Sequence, residues 1–291
     1  MEWLQQLING ISLGSIYALI ALGYTMVYGI IKLINFAHGD VFMIGAFIGF
    51  LAIARWDLGF FPALLLAMVV CAVLGVLIER IAYKRLRNAT RIAALITAIG
   101  VSLLIEYTTI FFRGAQLETY PDVISNKTFN FLGAQISMQS IMILSVSIVL
   151  MLILQFIVHK TKIGKAMRAV SYDVETARLM GINVDNTISV TFAIGSALAG
   201  AAGVIFGIYY TRIDPLMGII PGIKAFVAAV LGGIGIIPGA VAGGMVLGVV
   251  ETVVSALGFS LWRDAAAFVI LILILIFRPA GIFGKNTREK V

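Results

Sequence analysis

The sequence predicts an all-α protein, a polytopic bundle of transmembrane helices, and three observations support this fold class. The chain of 291 residues is 61% hydrophobic and only 12% charged, whereas soluble domains carry about 25% charged residues. Its apolar residues are grouped in nine long runs. The lysines and arginines are concentrated in a few of the segments between those runs, as in multi-pass membrane proteins. We therefore expect about eight or nine spanning or re-entrant segments in a single domain, residues 1–291.

The lengths of the runs separate full spans from shorter segments, because a helix needs about 20 apolar residues to cross the hydrocarbon core. The runs cover residues 7–31, 38–54, 60–79, 92–112, 138–158, 188–210, 219–234, 238–257 and 262–277. The second and the seventh run are the short ones. A discontinuous or re-entrant helix at either place lowers the number of full spans to eight or fewer.

The distribution of the cations predicts the orientation in the membrane. The segments around residue 32, 80–91, 159–187 and 278–291 hold fifteen of the 21 lysines and arginines, the other loops hold five, and Lys224 lies within a run. Because lysine and arginine are enriched in cytoplasmic loops, we expect the N-terminus outside and the C-terminus in the cytoplasm. The net charge of +7 then reflects loops that face anionic lipid headgroups, not a surface for nucleic acid.

A polar, glycine-containing break directly after the first run indicates that the bundle is not made only of simple rods. Asn35, His38 and Asp40 lie in this break, at or just inside the predicted inner boundary. Irregular backbone there must be buried in protein or line an aqueous cavity. These side chains are therefore candidates for lining a translocation path, and a turn or a helix cap is the alternative interpretation.

A second break falls late in the chain, where Gly232, Gly233 and Gly235 interrupt the apolar sequence. They are further candidates for lining a path, or else they form a tight turn between two helices. Small residues spaced by four let two helices approach closely, and the following glycines have this spacing: Gly239, Gly243, Gly244 and Gly248. Residues 42–49 and 226–233 are weakly alike, through either an internal repeat or chance.

Three ionisable residues lie inside apolar runs, namely Glu106, Lys224 and Glu251. A charged side chain at the bilayer centre costs at least about 2.5 kcal/mol and is seldom left facing lipid. Each lies about six residues from the outer end of its run, which is roughly 9 Å along a helix axis. At this equal depth we expect Lys224 to pair with Glu251 or with Glu106, as a structural ion pair or as a contact for a substrate.

The longest charged segment, residues 159–187, lies between two long apolar runs. Read as a helix, it has small and apolar residues at intervals of three and four: Ala166, Ala169, Val170, Thr176, Ala177 and Met180. This spacing makes one apolar and one charged face. Such a helix at the membrane surface is suited to docking a partner outside the membrane. A solvated loop with ordinary cytoplasmic charges is the alternative.

The sequence has no signature of an enzyme or of a bound cofactor. Its two histidines, His38 and His159, have no second histidine or cysteine at metal-ligand spacing. Residues 281–287 match a phosphate-binding loop only in part, because the first glycine is missing and Asn286 follows the lysine. If the protein needs ATP, another chain must supply it.

Four stretches of the chain together resemble one protein family. They are Asn9–Leu19, Ile34–Asp40, Gly164–Ala169 with Glu175–Ile182, and Ala228–Gly235 with Pro238–Ala240. Through them the chain resembles, over essentially its whole length, the permease subunits of bacterial branched-chain amino acid ABC importers. The resemblance implies a multi-pass protein of the bacterial inner membrane that is not itself an enzyme.

The resemblance also implies a role for residues 159–187 as a coupling segment. Import permeases of several classes place a short cytoplasmic helix in a groove of the ATPase subunit, with the pattern Glu-Ala-Ala, three residues, then Gly. Here Glu175, Thr176, Ala177 and Gly181 keep that spacing, although the hydrophobic-proline element that often follows is missing. The implied docking residues are Lys165, Arg168, Ala169, Glu175, Thr176, Ala177 and Gly181. The small residues would permit close approach, and Gly181 would end the helix.

The partners that the resemblance implies are a second related permease in a heterodimer, two ATPase subunits that bind ATP and Mg, and a periplasmic binding protein. The binding protein would deliver leucine, isoleucine or valine, and the permeases would pass it on by alternating access. No cofactor would bind to this chain. The alternatives are a sister permease for urea, short amides or other amino acids, or, in a different class, a stand-alone channel or structural membrane protein. A lone channel has no use for a coupling segment.

Overall fold

A computed structural model describes residues 2–87, 89–124, 127–131 and 134–284 of the 291 residues. Within these ranges, seven helices are long and apolar enough to cross a membrane, and two apolar helices are shorter, His38–Ala54 and Ile219–Gly232. The all-α, polytopic bundle predicted from the sequence is therefore confirmed. The two short helices are the two short apolar runs.

The bundle consists of helices, with short β-strands between some of them. The helices are α1 (Glu2–Ile31), α2 (His38–Ala54), α3 (Phe60–Ile78), α4 (Lys84–Leu86), α5 (Arg91–Arg113), α6 (Met138–Lys160), α7 (Lys162–Tyr172), α8 (Val174–Leu179), α9 (Val184–Tyr210), α10 (Ile219–Gly232), α11 (Ile237–Ala256) and α12 (Arg263–Phe277). A π-helical segment, Glu79–Tyr83, continues α3 into α4, and a 3₁₀ turn, Ser260–Trp262, precedes α12.

The two ends of the bundle differ, and we name them by their contents. The hairpin side carries the antiparallel pairs β1 (Glu118–Thr119) with β4 (Arg212–Ile213) and β2 (Thr128–Phe131) with β3 (Ala134–Ser137). The start of α1 lies there too, since Gln5 accepts a hydrogen bond from the backbone of Gln135. The basic side carries residues 32–37, α4, α7 and α8. The cytoplasmic location of the basic side stays a prediction, and Lys285, Arg288 and Lys290, which contributed to it, lie outside the described residues.

The centre of the bundle is formed by α1 and α9, while α5, α6 and α12 lie at the periphery. In the most apolar stretch of each helix, 83% of the residues of α1 and 78% of those of α9 are buried. The corresponding values for the peripheral helices α5, α6 and α12 are 17%, 22% and 6%. Helix α1 packs mainly against α11, and α9 packs mainly against α3 and α2. Small residues allow these central contacts, and the peripheral helices present large apolar side chains to the surroundings.

The bundle contains two units of like design. In each unit a long buried helix is followed by a non-helical segment, a short helix and a full-length helix, and the first helix of each unit packs against the third helix of the other. Helix α1 runs from the hairpin side to the basic side, whereas α9 runs the opposite way, which is the pattern of inverted-topology repeats in transporters. The weakly similar residues 42–49 and 226–233 fall in the matching short helices α2 and α10.

The predicted glycine stripe is confirmed as a packing surface of α11. A Cβ atom built on Gly244 would lie 2.6 Å from the Cα of Ala18 in α1, and Gly243, Gly248 and Gly239 lie equally close to Ala228, Gly14 and Gly232. The backbones therefore touch where a side chain would have no space.

The Gly244→Ala variant is expected to lose about 1–3 kcal/mol of stability, because the added methyl group must push α1 and α11 apart. Thermal unfolding of the purified protein in detergent measures this loss. Gly100→Ala in α5 is the matched control, since a Cβ atom at Gly100 meets nothing within 4 Å. Equal destabilisation by both substitutions would contradict the close contact.

Candidate functional site

The break after α1 places polar residues deep inside the protein. Asn35 and His38 are both buried. The hydroxyl of Tyr83 donates to the Asn35 side-chain oxygen at 3.1 Å, and the His38 ring packs on Tyr24 with 4.6 Å between centroids. Tyr24 precedes the end of α1 at Ile31 by seven residues, which is about 10 Å along the helix axis.

Helix α2 therefore begins deeper in the bundle than the inner boundary at which the sequence placed it. Residues 32–37 are not helical, and a non-helical segment can carry the chain from the end of α1 back to the level of Tyr24 within a few residues. The capping interpretation is wrong for this helix, because its N-cap is Ala37 and no side chain accepts a capping bond. The backbone of Asn35 does form a turn, in which its oxygen accepts from the His38 N–H. The path-lining role of Asn35, His38 and Asp40 stays a prediction.

The two short helices begin at the same place in the bundle. A Cβ atom on Gly39, in the first turn of α2, would lie 3.2 Å from the Cα of Gly222 in the first turn of α10. The backbone of Gly218 lies against Gly39 as well. Two discontinuous helices that start side by side within a bundle are typical of the binding region of transporters.

Glu106 does not reach Lys224, so that alternative of the predicted pairing is wrong. Its carboxyl group instead contacts the carboxyl group of Asp40, which also lies against the Ser102 hydroxyl. Both acidic residues are buried. Glu106 lies on α5, which packs against α2, and equal depth along two helices does not bring their side chains together.

Lys224 pairs with Glu251, as the sequence predicted. The Lys224 ammonium lies 2.8 Å from Glu251 Oε1 and 2.7 Å from Asp264 Oδ1. Tyr17 donates its hydroxyl proton to Glu251 Oε2 at 3.0 Å, and Arg263 Nε lies 3.7 Å from the same oxygen. This network joins α1, α10, α11 and the start of α12, and it satisfies a lysine that is only 2% exposed.

Two cavities flank the centre of the bundle, one at each side. The hairpin-side cavity, about 280 Å³, lies beside the Lys224 network and is also lined by Asp214 and Arg263. The basic-side cavity, about 240 Å³, lies between the end of α1, α7 and the α10–α11 turn, and Gly235 lines it together with Lys32.

Two of the three late glycines have packing roles. Gly232 lies against Gly239 across the α10–α11 turn, and Gly233 lies against the backbone of Ala280 and Gly284. This is the inter-helix turn that the sequence offered as an alternative. The path-lining role of Gly232, Gly233 and Gly235 stays a prediction, and Gly235 is the member of this group that borders a cavity.

Residues 159–187 form two helices, α7 and α8, so the prediction of one amphipathic helix is wrong in this respect. The chain breaks at Asp173, which is extended. Its carboxylate accepts hydrogen bonds from the backbone N–H of Glu175 and Thr176 and from the Thr176 hydroxyl, at 2.9, 3.1 and 2.7 Å. An aspartate that caps a new helix in this way stops the preceding one.

The small apolar face of this segment is turned towards the bundle rather than towards solvent. Met167, Val170 and Ala177 are buried, and α7 packs against α1, α6 and α9. Ala177 therefore cannot provide the close approach to a partner that the sequence suggested, and Ala169 is half-buried. Arg168 is exposed, and its guanidinium donates to the Val158 backbone oxygen.

The surface of this segment that remains free is apolar at its centre. Tyr172, Leu179 and Met180 are 95%, 87% and 78% exposed. We call these three residues the coupling surface. Lys165, Glu175, Thr176 and Gly181 of the predicted docking set are also exposed. The end of α8 agrees with the sequence, because Gly181 has a φ of +81° and follows the C-cap Met180.

Asp173 makes the helix start of α8 sensitive to acid. The hydrogen bonds from Thr176 and Glu175 lower the pKa of its carboxyl group. The stabilisation of α8 by the Asp173 carboxylate is thus complete above about pH 3.9, the pKa of an aspartate in the unfolded chain. It is lost as the pH falls through the lower pKa of Asp173 in the folded protein. We expect the backbone amides of residues 174–181 to lose protection against hydrogen exchange below about pH 4. Protection here is the intrinsic exchange rate at each pH divided by the measured rate.

Two variants separate the cap from a general effect of acid. Asp173→Asn keeps a side-chain oxygen acceptor without the charge, so its protection should not depend on pH in this range. Asp173→Ala should lack the protection at every pH. Acid loss of the same size in Asp173→Asn would show that another group is responsible.

The sequence reasoning missed a further buried carboxylate, Glu79, which is fully buried in the π-helical segment. It pairs with Arg87 and accepts a hydrogen bond from the Ser189 hydroxyl at 2.6 Å. Arg87 also reaches Asp185 at 2.5 Å, and Lys84 reaches Asp185 at 2.8 Å. The signal was present, as a carboxylate at the end of an apolar run with cations five and eight residues later. The network ties α3 to the first turns of α9, directly after the coupling segment.

Comparisons with known proteins agree with this architecture. The family model described as "Branched-chain amino acid transport system / permease component" matches residues 6–277. The chain is 44% identical to the high-affinity branched-chain amino acid transport system permease protein BraD of Pseudomonas aeruginosa, with 100% of this chain and 98% of the relative covered. It is 42% identical to the corresponding protein LivH of Escherichia coli K12, with the same coverage. No solved structure matches.

The fold defines the class of protein first. Seven spanning helices, two discontinuous helices that start side by side, and inverted units are the architecture of a multi-pass inner-membrane transport protein. The chain belongs to the family of permease components of branched-chain amino acid transport systems.

Proposed function

We propose that this chain is the permease subunit of an ATP-driven importer that moves leucine, isoleucine and valine across the inner membrane by alternating access. The substrate class comes from the relatives BraD and LivH, whose names state branched-chain amino acid transport and which match the chain over its full length. ATP and Mg would bind to separate ATPase subunits. A second related permease and a periplasmic binding protein would complete the assembly.

The observation that carries the proposal is the position of α7 and α8. Their inner face is held by the transmembrane helices, whereas their outer face exposes the coupling surface. An exposed apolar patch on such an anchored element is typical of a protein interaction site. An ATPase docked there would act on the bundle through packed side chains.

The route from the coupling surface into the bundle is short. Helix α8 ends at Leu179, and α9 begins five residues later at Val184. Asp185 in that first turn joins the Glu79 network of α3 and α4. Further along α9, Gly195 packs closely on α1. A Cβ atom built on Gly195 would lie 3.4 Å from the Cα of Gly23. A displacement of α8 is thus passed to both central helices, which border the start of α2.

The test is leucine uptake by proteoliposomes that contain the complete complex, the binding protein and internal ATP. We expect uptake with ATP, no uptake with a non-hydrolysable analogue, and none when the permeases are reconstituted without the ATPases. Isoleucine and valine should compete with leucine, whereas urea and acetamide should not. Leucine flux through the permease alone would support a stand-alone channel, and competition by urea or acetamide would support a sister permease.

A further inference from the structure

The hairpin-side cavity has the features of a binding site for the transported substrate, and this inference rests on the proposed function. The cavity lies beside the non-helical lead-in to α10, and its wall is formed by α1, α9, α10, the start of α12 and residues 212–217. Its volume of about 280 Å³ is near the lower limit of ligand pockets, which suits a small metabolite. We propose that this cavity is a binding site for the amino acid in its zwitterionic form.

The charges of the wall complement both ends of a zwitterion. Arg263 offers the contact for the α-carboxylate, because its side chain lines the cavity and is 38% exposed, while its two acidic neighbours lie no closer to its Nε than 3.7 Å. Guanidinium donors form strong paired hydrogen bonds with carboxylates. Asp214 on the opposite segment offers the contact for the ammonium. One of its oxygens accepts from the Leu216 N–H at 2.9 Å, and a carboxylate has further acceptor sites.

Lys224 has a different role in this site. Its ammonium already contacts Glu251 and Asp264 at 2.8 and 2.7 Å, so it neutralises the acidic residues beside Arg263. Without Lys224 the two carboxylates would repel the carboxylate of the ligand. With Lys224 in place, the guanidinium of Arg263 remains available to bind it.

The remaining wall fits an aliphatic side chain. Phe206, Met217 and Ile220 line the same cavity and present apolar surface next to the charged groups. A methionine adapts well to branched aliphatic groups, and the isoleucine adds rigid, branched apolar surface. The basic-side cavity lacks this combination, because among the described residues its charged lining consists of Lys32 and Arg168 without a carboxylate.

The test is protection of an introduced cysteine in the complete reconstituted complex, without the binding protein and without ATP. Ile220 is 44% exposed and lines the cavity, whereas the native Cys71 is fully buried. Ile220→Cys should therefore react with a membrane-impermeant maleimide. L-leucine should slow the reaction, whereas leucinamide, which lacks the carboxylate, and 4-methylpentanoate, which lacks the ammonium, should not. Leu117→Cys, exposed near β1 on the same side, is the control whose labelling leucine should not change.

A second substitution identifies the ammonium contact. Asp214→Asn in the Ile220→Cys chain keeps the oxygen that accepts from Leu216 but loses the charge. It should raise the leucine concentration for half-protection about tenfold, the effect of one charge-assisted hydrogen bond. Equal protection by all three compounds, unchanged protection in the Asp214→Asn chain, or no protection in a complex that imports leucine would overturn the site. Protection by leucine in a complex that shows no ATP-dependent uptake would instead contradict the proposed function and leave the site intact.

Discussion

The Lys224→Met variant is expected to lower the free energy of unfolding by about 3 kcal/mol, the lower end of the range for a broken buried ion pair, because it removes the closest counter-charge of the buried Glu251 and leaves Arg263 at 3.7 Å. The ammonium and the Glu251 carboxylate are 2.8 Å apart, and their side chains are 2% and 0% exposed. The Tyr17 hydroxyl remains as a donor, but it carries no charge. Thermal unfolding of the purified chain in detergent measures the loss.

Charge reversal tests which partner Lys224 has. Lys224→Glu combined with Glu251→Lys should recover part of the stability that Lys224→Glu loses, since an opposite pair is restored at the same place. Lys224→Glu combined with Glu106→Lys should recover nothing, because Glu106 contacts Asp40 instead. Equal recovery by the two combinations would contradict the ion pair seen in the structure. In addition, the double variant Lys224→Met with Glu251→Gln should lose less stability than the sum of the losses in the two single variants.

The combined variant Leu179→Asp and Met180→Asp is expected to reduce association with the ATPase subunits at least about 30-fold, which corresponds to one interface hot spot of about 2 kcal/mol. Both side chains are largely exposed at the centre of the coupling surface. Carboxylates there would have to be desolvated on docking. Co-purification of the ATPases and ATP-dependent leucine uptake should fall together, and Glu175→Arg should have a smaller effect at the polar edge of the surface.

The matched control introduces the same carboxylate at the other end of the bundle. Leu261 is 96% exposed in the 3₁₀ turn before α12, on the side opposite to the coupling surface. Leu261→Asp should leave ATPase association unchanged. If Leu179→Asp with Met180→Asp also leaves it unchanged while the protein inserts normally, α7 and α8 are an ordinary surface element and do not dock the ATPases.

Much of the architecture could be predicted because the bilayer constrains the length and hydrophobicity of each spanning segment separately. A span must be long and apolar wherever it lies in the bundle, so the apolar runs alone located the seven spanning helices together with α2 and α10. The glycine stripe of α11 was recognisable for a similar reason, since spacing along one helix decides which residues share a face. The partner of Lys224 was narrowed to two candidates by depth, which sequence position approximates.

The remaining features depend on how distant segments lie relative to one another. Depth in the membrane did not show whether Glu251 or Glu106 is the partner of Lys224. The direction in which Glu106 points depends on the rotation of α5, which is set by its packing against α2. Arg263 was counted as a loop cation, and only the placement of α12 brings it to Glu251 and brings Asp264 to Lys224. Periodicity showed that Ala177 lies on an apolar face, but a periodic pattern does not tell whether that face meets the bundle or a partner.

The sequence by itself therefore determined the class of protein, the positions of the apolar helices, the family and the existence of a charged segment between spans. The tertiary structure decided which buried charges meet, how deep α2 begins, that Asp173 divides the coupling segment, and which of its residues are free to dock. The physical reason is that hydrophobicity and spacing are properties of one segment. Ion pairing, burial and cavities arise from the relative position of several segments.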